Sequence, residues 1–447
     1  LSIYKAYDIR GTFGRDWDAD TACRIGRCLP DLLHARRLLI GRDARRSSPA
    51  IRDALCRGLL DAGADVDDLG LATTPMVYCF TALDSYAASV QITASHNPAA
   101  DNGLKISAAG ARPVGRDTGL AELERRMAAA PPPPAQHPGR IRTLDRRAAF
   151  VDWLRPWMPN LSGMRIAVDC SDGMAGLVAR DLFGAAAIYL NDSPDGNFPH
   201  HPPNPLNPAA REMLAKRVRN DRLDAGVIFD GDADRVMFLD ETGAFVQPDF
   251  LIPVIARRFL RASPGATVVC DVRTSRSVLE ALRADGANPV LWKVGHAFAK
   301  DKMRETGAVC GGELAGHYYF RDFFCCDSGE LAALIVLGEA AAARARGLSF
   351  REWIAPIVGR YANSGEINYT MERKEEAMEA VRAALLAERG PDSLLDFDGL
   401  RLDYPDWWIS IRPSNTEPYL RVVLEADTAA HLSRRRAQVD RLLAPFR

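Results

Sequence analysis

The sequence predicts an α/β protein: three tandem α/β domains with mixed, mainly parallel sheets, then a C-terminal α+β domain. Three observations predict it. A strand–turn–helix–strand unit recurs three times, the pattern of a right-handed βαβ crossover. The chain has 447 residues, enough for about three domains at ~150 residues each and within reach of four. After residue 358 the order changes to a long helix between strand-like runs, which reads as α+β with an antiparallel sheet.

The first strands of the three units are residues 38–43 (LLIGRD), 166–169 (IAVD) and 267–271 (TVVCD), each an apolar run ending on aspartate. Helical periodicity follows over 49–62, 176–183 and 275–284, and second strands over 65–69, 187–190 and 289–293. Such units place functional loops at the C-terminal ends of their strands. A tetraproline at 131–134, which neither a helix nor an interior strand tolerates, marks a linker. Further boundaries fall near 243–248 and 358–364. The expected domains are therefore 1–145, 146–245, 246–358 and 359–447. In the last, strands at 365–370, 407–411 and 420–425 flank a helix at 374–389.

Composition narrows the class. Hydrophobic residues make up 47% and charged residues 26%, which excludes a disordered or collagenous chain. No uninterrupted apolar run reaches the ~18 residues of a membrane span, and residues 1–10 lack the apolar core of a signal peptide. With 57 basic and 58 acidic side chains the net charge is −1, which argues against a general nucleic-acid binder. The nine cysteines form no C-x-x-C pair, so a zinc ribbon is unsupported and a reduced cytoplasm fits. The expectation is a cytoplasmic enzyme, monomeric or dimeric, with neither a nucleic acid nor a membrane as partner.

Five segments carry chemistry. Asp230-Gly-Asp232-Ala-Asp234-Arg235 sits between apolar strands at 225–229 and 236–239. Three carboxylates at alternate positions repel one another unless a cation joins them. The EF-hand reading fails: its sixth position must be glycine and here is Arg235, and the flanks are strands. An all-oxygen set suits Mg²⁺ acting on a phosphate, and Arg235 behind it favours an anionic ligand; a solvated acidic turn is the alternative. Ser95 and His96 lie in TASHNP after the strand at 89–92, with Lys105 ten residues on. A Ser–His hydrolase reading is weak there because the G-x-S-x-G elbow is missing, and a capped turn stays open. RPSNTEP offers Arg412, Ser414, Asn415 and Thr416 as a phosphate cradle or a plain hairpin loop. GGELAGH joins Glu313 and His317 in a Gly-rich loop with no nucleotide-binding spacing. YDIRG, with Tyr7 and Arg10, says little by itself.

Together and in this order, YDIRG, TASHNP, DGDADR, GGELAGH and RPSNTEP resemble the α-D-phosphohexomutase family, and in particular its bacterial phosphomannomutase/phosphoglucomutase enzymes. The resemblance runs from residue 7 to 418 and implies four domains around a central cleft. It implies interconversion of mannose (and glucose) 6-phosphate and 1-phosphate through phospho-Ser95, with a bisphosphorylated sugar intermediate that reorients in the cleft. By that resemblance Asp230, Asp232, Asp234 and phospho-Ser95 hold Mg²⁺, and Arg235 stabilises the transferring phosphoryl group. Glu313 takes the sugar hydroxyls, while Arg412, Ser414, Asn415 and Thr416 clamp the other phosphate. Tyr7, Arg10, His96, Lys105, His296, His317 and Arg421 line the cleft, with Arg10, Lys105 and His296 as proton-transfer candidates. Glucose 1,6-bisphosphate, or its mannose counterpart, is the implied activator. Two departures, Ala315 where many relatives carry Ser and Arg273 where many place Lys, bear on the sugar contacts. The rivals are a phosphoglucosamine mutase, a metal-dependent phosphatase using Ser95, and a catalytically silent sugar-phosphate binding protein.

Overall fold

The computed structural model describes residues 2–130, 133–185, 187–414 and 418–447. It contains four sheets in chain order. In the first, Ala88–Ile92, Arg37–Arg42, Asp65–Leu71 and Ile141–Thr143 run parallel. Asp101–Ala108 then joins Ala88–Ile92 antiparallel and Ile9–Thr12 extends that edge. The second sheet sets Ala225–Phe229, Ile166–Asp169 and Ile188–Leu190 parallel, with Val236–Leu239 antiparallel to Ala225–Phe229. The third repeats the plan: Cys310–Gly312, Thr267–Asp271 and Asn288–Trp292 are parallel, and Tyr318–Phe320 is antiparallel to Cys310–Gly312. The fourth, Ala362–Thr370, Tyr419–Ala426, Trp407–Pro413, Leu400–Asp403 and Ser393–Leu395, is antiparallel throughout.

The three α/β sheets thus share one strand order, and each parallel set ends in a hairpin. That hairpin turn is TASHNP with its following residues in the first unit, DGDADR in the second and the Glu313–His317 turn in the third. A short polar turn followed by an apolar run forces the return strand, because nothing between the strands is long enough for a crossover helix.

Helices form where the periodicity indicates them, with one break. The expected helix at 176–183 divides into a 3-10 turn at Met174–Leu177 and a short helix at Ala179–Phe183. The break falls at Val178, φ −127° and ψ −12°, and the turn before it packs closely: a Cβ on Gly176 would stand 2.1 Å from the Asp192 carbonyl oxygen. Ala19–Leu32, which the repeat pattern does not include, starts at Asp18, whose side chain caps the Thr21 amide at 2.8 Å.

One continuous core joins the first three units. It runs from Met76 and Phe80 through Phe150, Val168 and Phe229 to Phe259 and Phe320. Helix Gly329–Ala345, apolar on nearly every side, is buried along Leu331–Leu337 and serves as its spine. The fourth unit keeps a separate core around Val381, Leu385, Trp407, Ile409 and Leu424. It meets the third unit through a small apolar cluster of Leu314, Trp408 and Val423 and through polar contacts. Buried Arg401 donates to the carbonyls of Val272 and Thr274 at 2.8 Å. Glu425 accepts from Ser275 Oγ at 2.5 Å and from the Arg276 amide at 2.8 Å.

At the parallel edge, Asp67 accepts from Tyr86 Oη at 2.5 Å and from Arg37 Nε at 2.6 Å, with Arg142 on its other side. Burial raises its pKa, but the bonds from Arg142, Tyr86 and Arg37 outweigh burial and bring it down to about 2. A folded-state pKa below the unfolded value of ~3.9 adds stability above that value, lost as pH falls toward 2. Asp67→Asn therefore lowers Tm at pH 7 by roughly 2–4 °C. In scanning calorimetry the gap from wild type closes as the pH drops from 5 to 2.

Candidate active site

Ser95 follows the parallel strand Ala88–Ile92 and takes φ 51°, the left-handed region that a residue with a Cβ seldom enters. Its amide donates to Thr93 Oγ1 at 2.8 Å and its buried hydroxyl donates to Asp230 Oδ2 at 2.7 Å. His96 Nδ1 lies 3.2 Å from the same hydroxyl. The loops of the first two units touch here because residue 231 is glycine: a Cβ would stand 2.6 Å from the Ser95 carbonyl oxygen.

Asp230, Asp232 and Asp234 are all buried, and their ligand atoms lie within 4.8 Å of one another. The first unit compensates their charge. Lys105, opposite Gln91 in the hairpin, donates to Asp232 Oδ2 at 2.6 Å and also reaches Asp234 Oδ2. Thr74 Oγ1 donates to Asp232 Oδ2 at 2.6 Å. Burial pulls the Lys105 ammonium down, yet Asp232 and Asp234 more than reverse that and keep it protonated. Burial, then the charges of Asp232 and Asp234, pushes the Asp230 carboxyl well above the usual range. Among the described residues, Asp232 Oδ1 and Asp234 Oδ1 are buried without a hydrogen-bond partner. Unpaired carboxylate oxygens beside a serine hydroxyl fit a small hard dication, and Mg²⁺ suits the all-oxygen donor set.

Arg235 ends the same turn. Its Nε donates to His317 Nε2 at 2.9 Å, so that nitrogen is the acceptor and the proton of the neutral ring sits on Nδ1. His317 Nδ1 lies 2.7 Å from Asp327 Oδ2, and Asp327 also pairs with buried Lys300 at 2.7 Å. His296 opens the helix His296–Thr306, its ring 4.8 Å from Tyr7 and 6.0 Å from His317. Neither ring nitrogen of His296 has a partner among the described residues. Burial first, then Lys300, holds the imidazole neutral; burial and Arg235 do the same for His96. Arg10 spans Asp8 at 2.6 Å and Asn97 at 2.9 Å. Glu313 is buried, accepting from Tyr319 Oη at 2.8 Å and from the Gly295 amide at 3.2 Å.

The fourth unit supplies Arg412 at the end of Trp407–Pro413, its Nη2 donating to Asp398 Oδ1 at 2.9 Å. Asp398 Oδ2 accepts from the Val294 amide at 2.7 Å, which ties this arginine to the His296 loop. Arg421 stands opposite Arg412 in the ladder, 3.5 Å from Glu366. Ser414 is buried and its carbonyl accepts from Lys374 Nζ at 2.5 Å; Asn415 and Thr416 lie outside the described residues. Arg273 is committed to Asp271 at 2.7 Å and Glu366 at 2.9 Å, bridging third and fourth units. Ala315 sits half-buried in the Glu313 turn.

Two groups therefore emerge. Ser95, His96, Lys105, the three aspartates and Arg235 meet at the junction of the first two units, with Arg10, His317, His296 and Tyr7 around them. Arg412, Ser414 and Arg421 belong to the fourth unit and reach this group through Asp398 and the His296 loop. Sequence reasoning missed Thr74, Asp327 and Asp398. Thr74 reads as one more helix N-terminus before Pro75, Asp327 as the acid before a Ser-capped helix, and Asp398 as half of an Asp-Gly turn. No local signal separates these from structural residues.

Sequence models of the four phosphoglucomutase/phosphomannomutase domains match in order: alpha/beta/alpha domain I over residues 2–132, domain II over 151–243, domain III over 247–361 and the C-terminal domain over 366–442. The chain belongs to the phosphoglucomutase/phosphomannomutase family. It is a phosphohexomutase. A phosphomannomutase of Escherichia coli K12 is 36% identical over 443 residues, covering 95% of both chains. A Xanthomonas campestris protein described as phosphohexose mutases is 36% identical over 456 residues and covers 99% of both. A solved phosphoglucomutase/phosphomannomutase family protein from Burkholderia thailandensis superposes with TM-score 0.88 at 29% identity, over 99% of this chain and 96% of that one.

The phosphohexomutase should bind one divalent ion at the aspartate turn. In titration calorimetry with Mg²⁺, Asp232→Asn weakens that binding by at least ~10-fold; unchanged affinity would move the metal elsewhere. Asp327→Ala removes the carboxylate that stands 2.7 Å from His317 Nδ1 and helps hold its tautomer. The ¹⁵N shifts of His317 then change from a single Nδ1–H form to a mixture of both tautomers.

Proposed function

We propose that this phosphohexomutase interconverts mannose 6-phosphate and mannose 1-phosphate, and the glucose pair more slowly, through phospho-Ser95. The observation that carries the reading is the Ser95 hydroxyl bonded to Asp230 at 2.7 Å, beside carboxylate oxygens left unpaired at Asp232 and Asp234. The named mannose-phosphate activity of the Escherichia coli relative and the family's glucose-phosphate branch supply the sugars. The working units are residues 1–145, 146–245, 246–358 and 359–447.

In this mechanism Asp230, Asp232, Asp234 and a phosphoserine oxygen would hold Mg²⁺, which when bound would neutralise charge on the phosphoryl oxygens. Arg235 swings from His317 to the phosphoryl group. The bond between Ser95 Oγ and phosphorus breaks as phosphorus bonds to the sugar hydroxyl oxygen. The hydroxyl proton leaves to a base and the serine oxygen regains one. The two imidazoles suit proton transfer best: among the described residues neither nitrogen of His296 has a hydrogen-bond partner, and His317 regains its Nε2 lone pair once Arg235 turns away. Lys105 is held as an ammonium by Asp232 and Asp234, and Arg10 stays charged, so both serve as electrostatic partners. Glu313 accepts bonds from sugar hydroxyls. Arg412, Ser414, Asn415, Thr416 and Arg421 hold the non-reacting phosphate, with Tyr7, His96, Ala315 and Arg273 completing the walls.

Two transfers are needed, with the bisphosphorylated sugar turned between them, and a fourth unit with its own core suits opening for that turn. Glucose 1,6-bisphosphate, or its mannose counterpart, re-primes Ser95 when the intermediate escapes.

The test is turnover of mannose 1-phosphate and glucose 1-phosphate with catalytic glucose 1,6-bisphosphate. Wild type isomerises both, and Ser95→Ala loses at least ~10³-fold in kcat. Undiminished turnover by Ser95→Ala would exclude the phosphoserine route. Inorganic phosphate released as fast as isomer would make the protein a phosphatase.

A further inference from the structure

Arg45 is fully buried one strand away from Ser95, and none of the chemistry above uses it. Its guanidinium is spent on backbone. Nη2 donates to the Ser95 carbonyl at 2.8 Å and the Asn97 carbonyl at 2.7 Å, while Nη1 donates to those of Pro98 at 2.5 Å and Asp101 at 2.9 Å. The remaining donor, Nε, goes to Asp43 Oδ2 at 3.1 Å. Asp43 is itself fixed by Ser48 Oγ at 2.5 Å and by the Arg45 amide at 3.0 Å. From the second unit, the Phe198 ring covers the guanidinium at 4.9 Å. The approach is possible because residue 196 is glycine: a Cβ there would stand 2.3 Å from Arg45 Cα.

These carbonyls belong to the connection between Ala88–Ile92 and Asp101–Ala108, where most of the backbone has left the sheet ladder. One planar fork binds all four carbonyls, and one of the four belongs to buried Ser95 itself, held at φ 51°. Lysine has three donors on a single nitrogen and cannot reproduce the fork.

We propose that Arg45 is a positioning residue for Ser95, holding the serine loop rigid so that the phosphoryl group stands in one place for both transfers. The proposal rests on the phospho-Ser95 reading. Transfer from a fixed donor depends steeply on placement, with displacement by ~1 Å able to cost ~100-fold. A loosened loop would also give water a better path to the phosphoserine. Arg45 is fully buried with its side-chain nitrogens bonded to protein acceptors, so substrate affinity should stay with the Glu313 and Arg412 groups.

The experiment charges full-length wild type, Ser95→Ala, Arg45→Lys and Asp43→Asn with ³²P-labelled glucose 1,6-bisphosphate. It follows label stoichiometry, single-turnover transfer to glucose 1-phosphate, release of inorganic phosphate, and KM. For Arg45→Lys the expected result is wild-type stoichiometry, transfer slowed ~10–100-fold, a larger share of label lost to water, and KM within about 2-fold. A purely structural role would lower Tm without moving the partition between sugar and water. Asp43→Asn keeps Arg45 but removes the charge that aims it, and it carries the same readouts if Arg45→Lys does not fold. A folded variant that transfers at the wild-type rate with the wild-type partition overturns the role of Arg45 alone. Label that never enters wild type, or enters Ser95→Ala equally, overturns the phosphoserine reading and the proposal with it.

Discussion

Three carboxylates buried within 4.8 Å of one another set the terms for the rest of this molecule. Asp230, Asp232 and Asp234 cannot all carry charge in a dry turn without compensation. The compensation comes from other units. Lys105 and Thr74 arrive from the first, Ser95 donates to Asp230, and Arg235 turns toward the third unit at His317. The junction is therefore held by electrostatics at its centre and by the shared apolar core beneath it. The oxygens that Lys105 and Thr74 leave unpaired are the ones a metal would take.

The repeated strand order explains why the chemistry collects where it does. In each α/β unit the polar turn lies where a parallel strand hands over to an antiparallel neighbour. Placing three such units side by side brings three of these turns to one region. Ser95 comes from the first, the aspartates from the second, and Glu313 with His317 from the third. A short hairpin turn is stiff, which suits groups that must keep a fixed relation to a phosphorus atom. The fourth unit solves a different problem. Its main core is separate, and it docks on the third unit through Arg401, Glu425 and the Arg273–Glu366 pair together with a small apolar cluster of Leu314, Trp408 and Val423.

Two of the compensating devices are arginines that join separate parts of the chain. Arg273 joins Asp271 to Glu366 across the third and fourth units, and Arg45 gathers the carbonyls behind Ser95. Of the 57 basic residues only seven are Lys, and Arg suits such work, since one planar group can satisfy several fixed acceptors. The few lysines are used differently: Lys105 and Lys300 are buried point charges, each facing aspartate.

Much of this was legible in the sequence, because alternation, helical period and turn chemistry act locally. The apolar runs at 38–43, 166–169, 225–229 and 267–271 could hardly be other than interior strands. The five polar segments stood out because charged and hydroxyl residues interrupt such runs. Where a local reading failed, as at 176–183, the turn packs closely on the Asp192 backbone, a contact that helical period does not reveal. The acidic turn, the serine loop and the four-part organisation were determined by the sequence itself. Only the tertiary structure decided that Lys105 answers Asp232, that Asp327 sets the His317 tautomer, that Asp398 ties Arg412 to the His296 loop, and that Arg45 lies behind Ser95. Each of those pairings joins residues whose own neighbourhoods carry no mark of it. Electrostatic and hydrogen-bond partners are chosen by proximity in space, and that proximity arises only when the units pack.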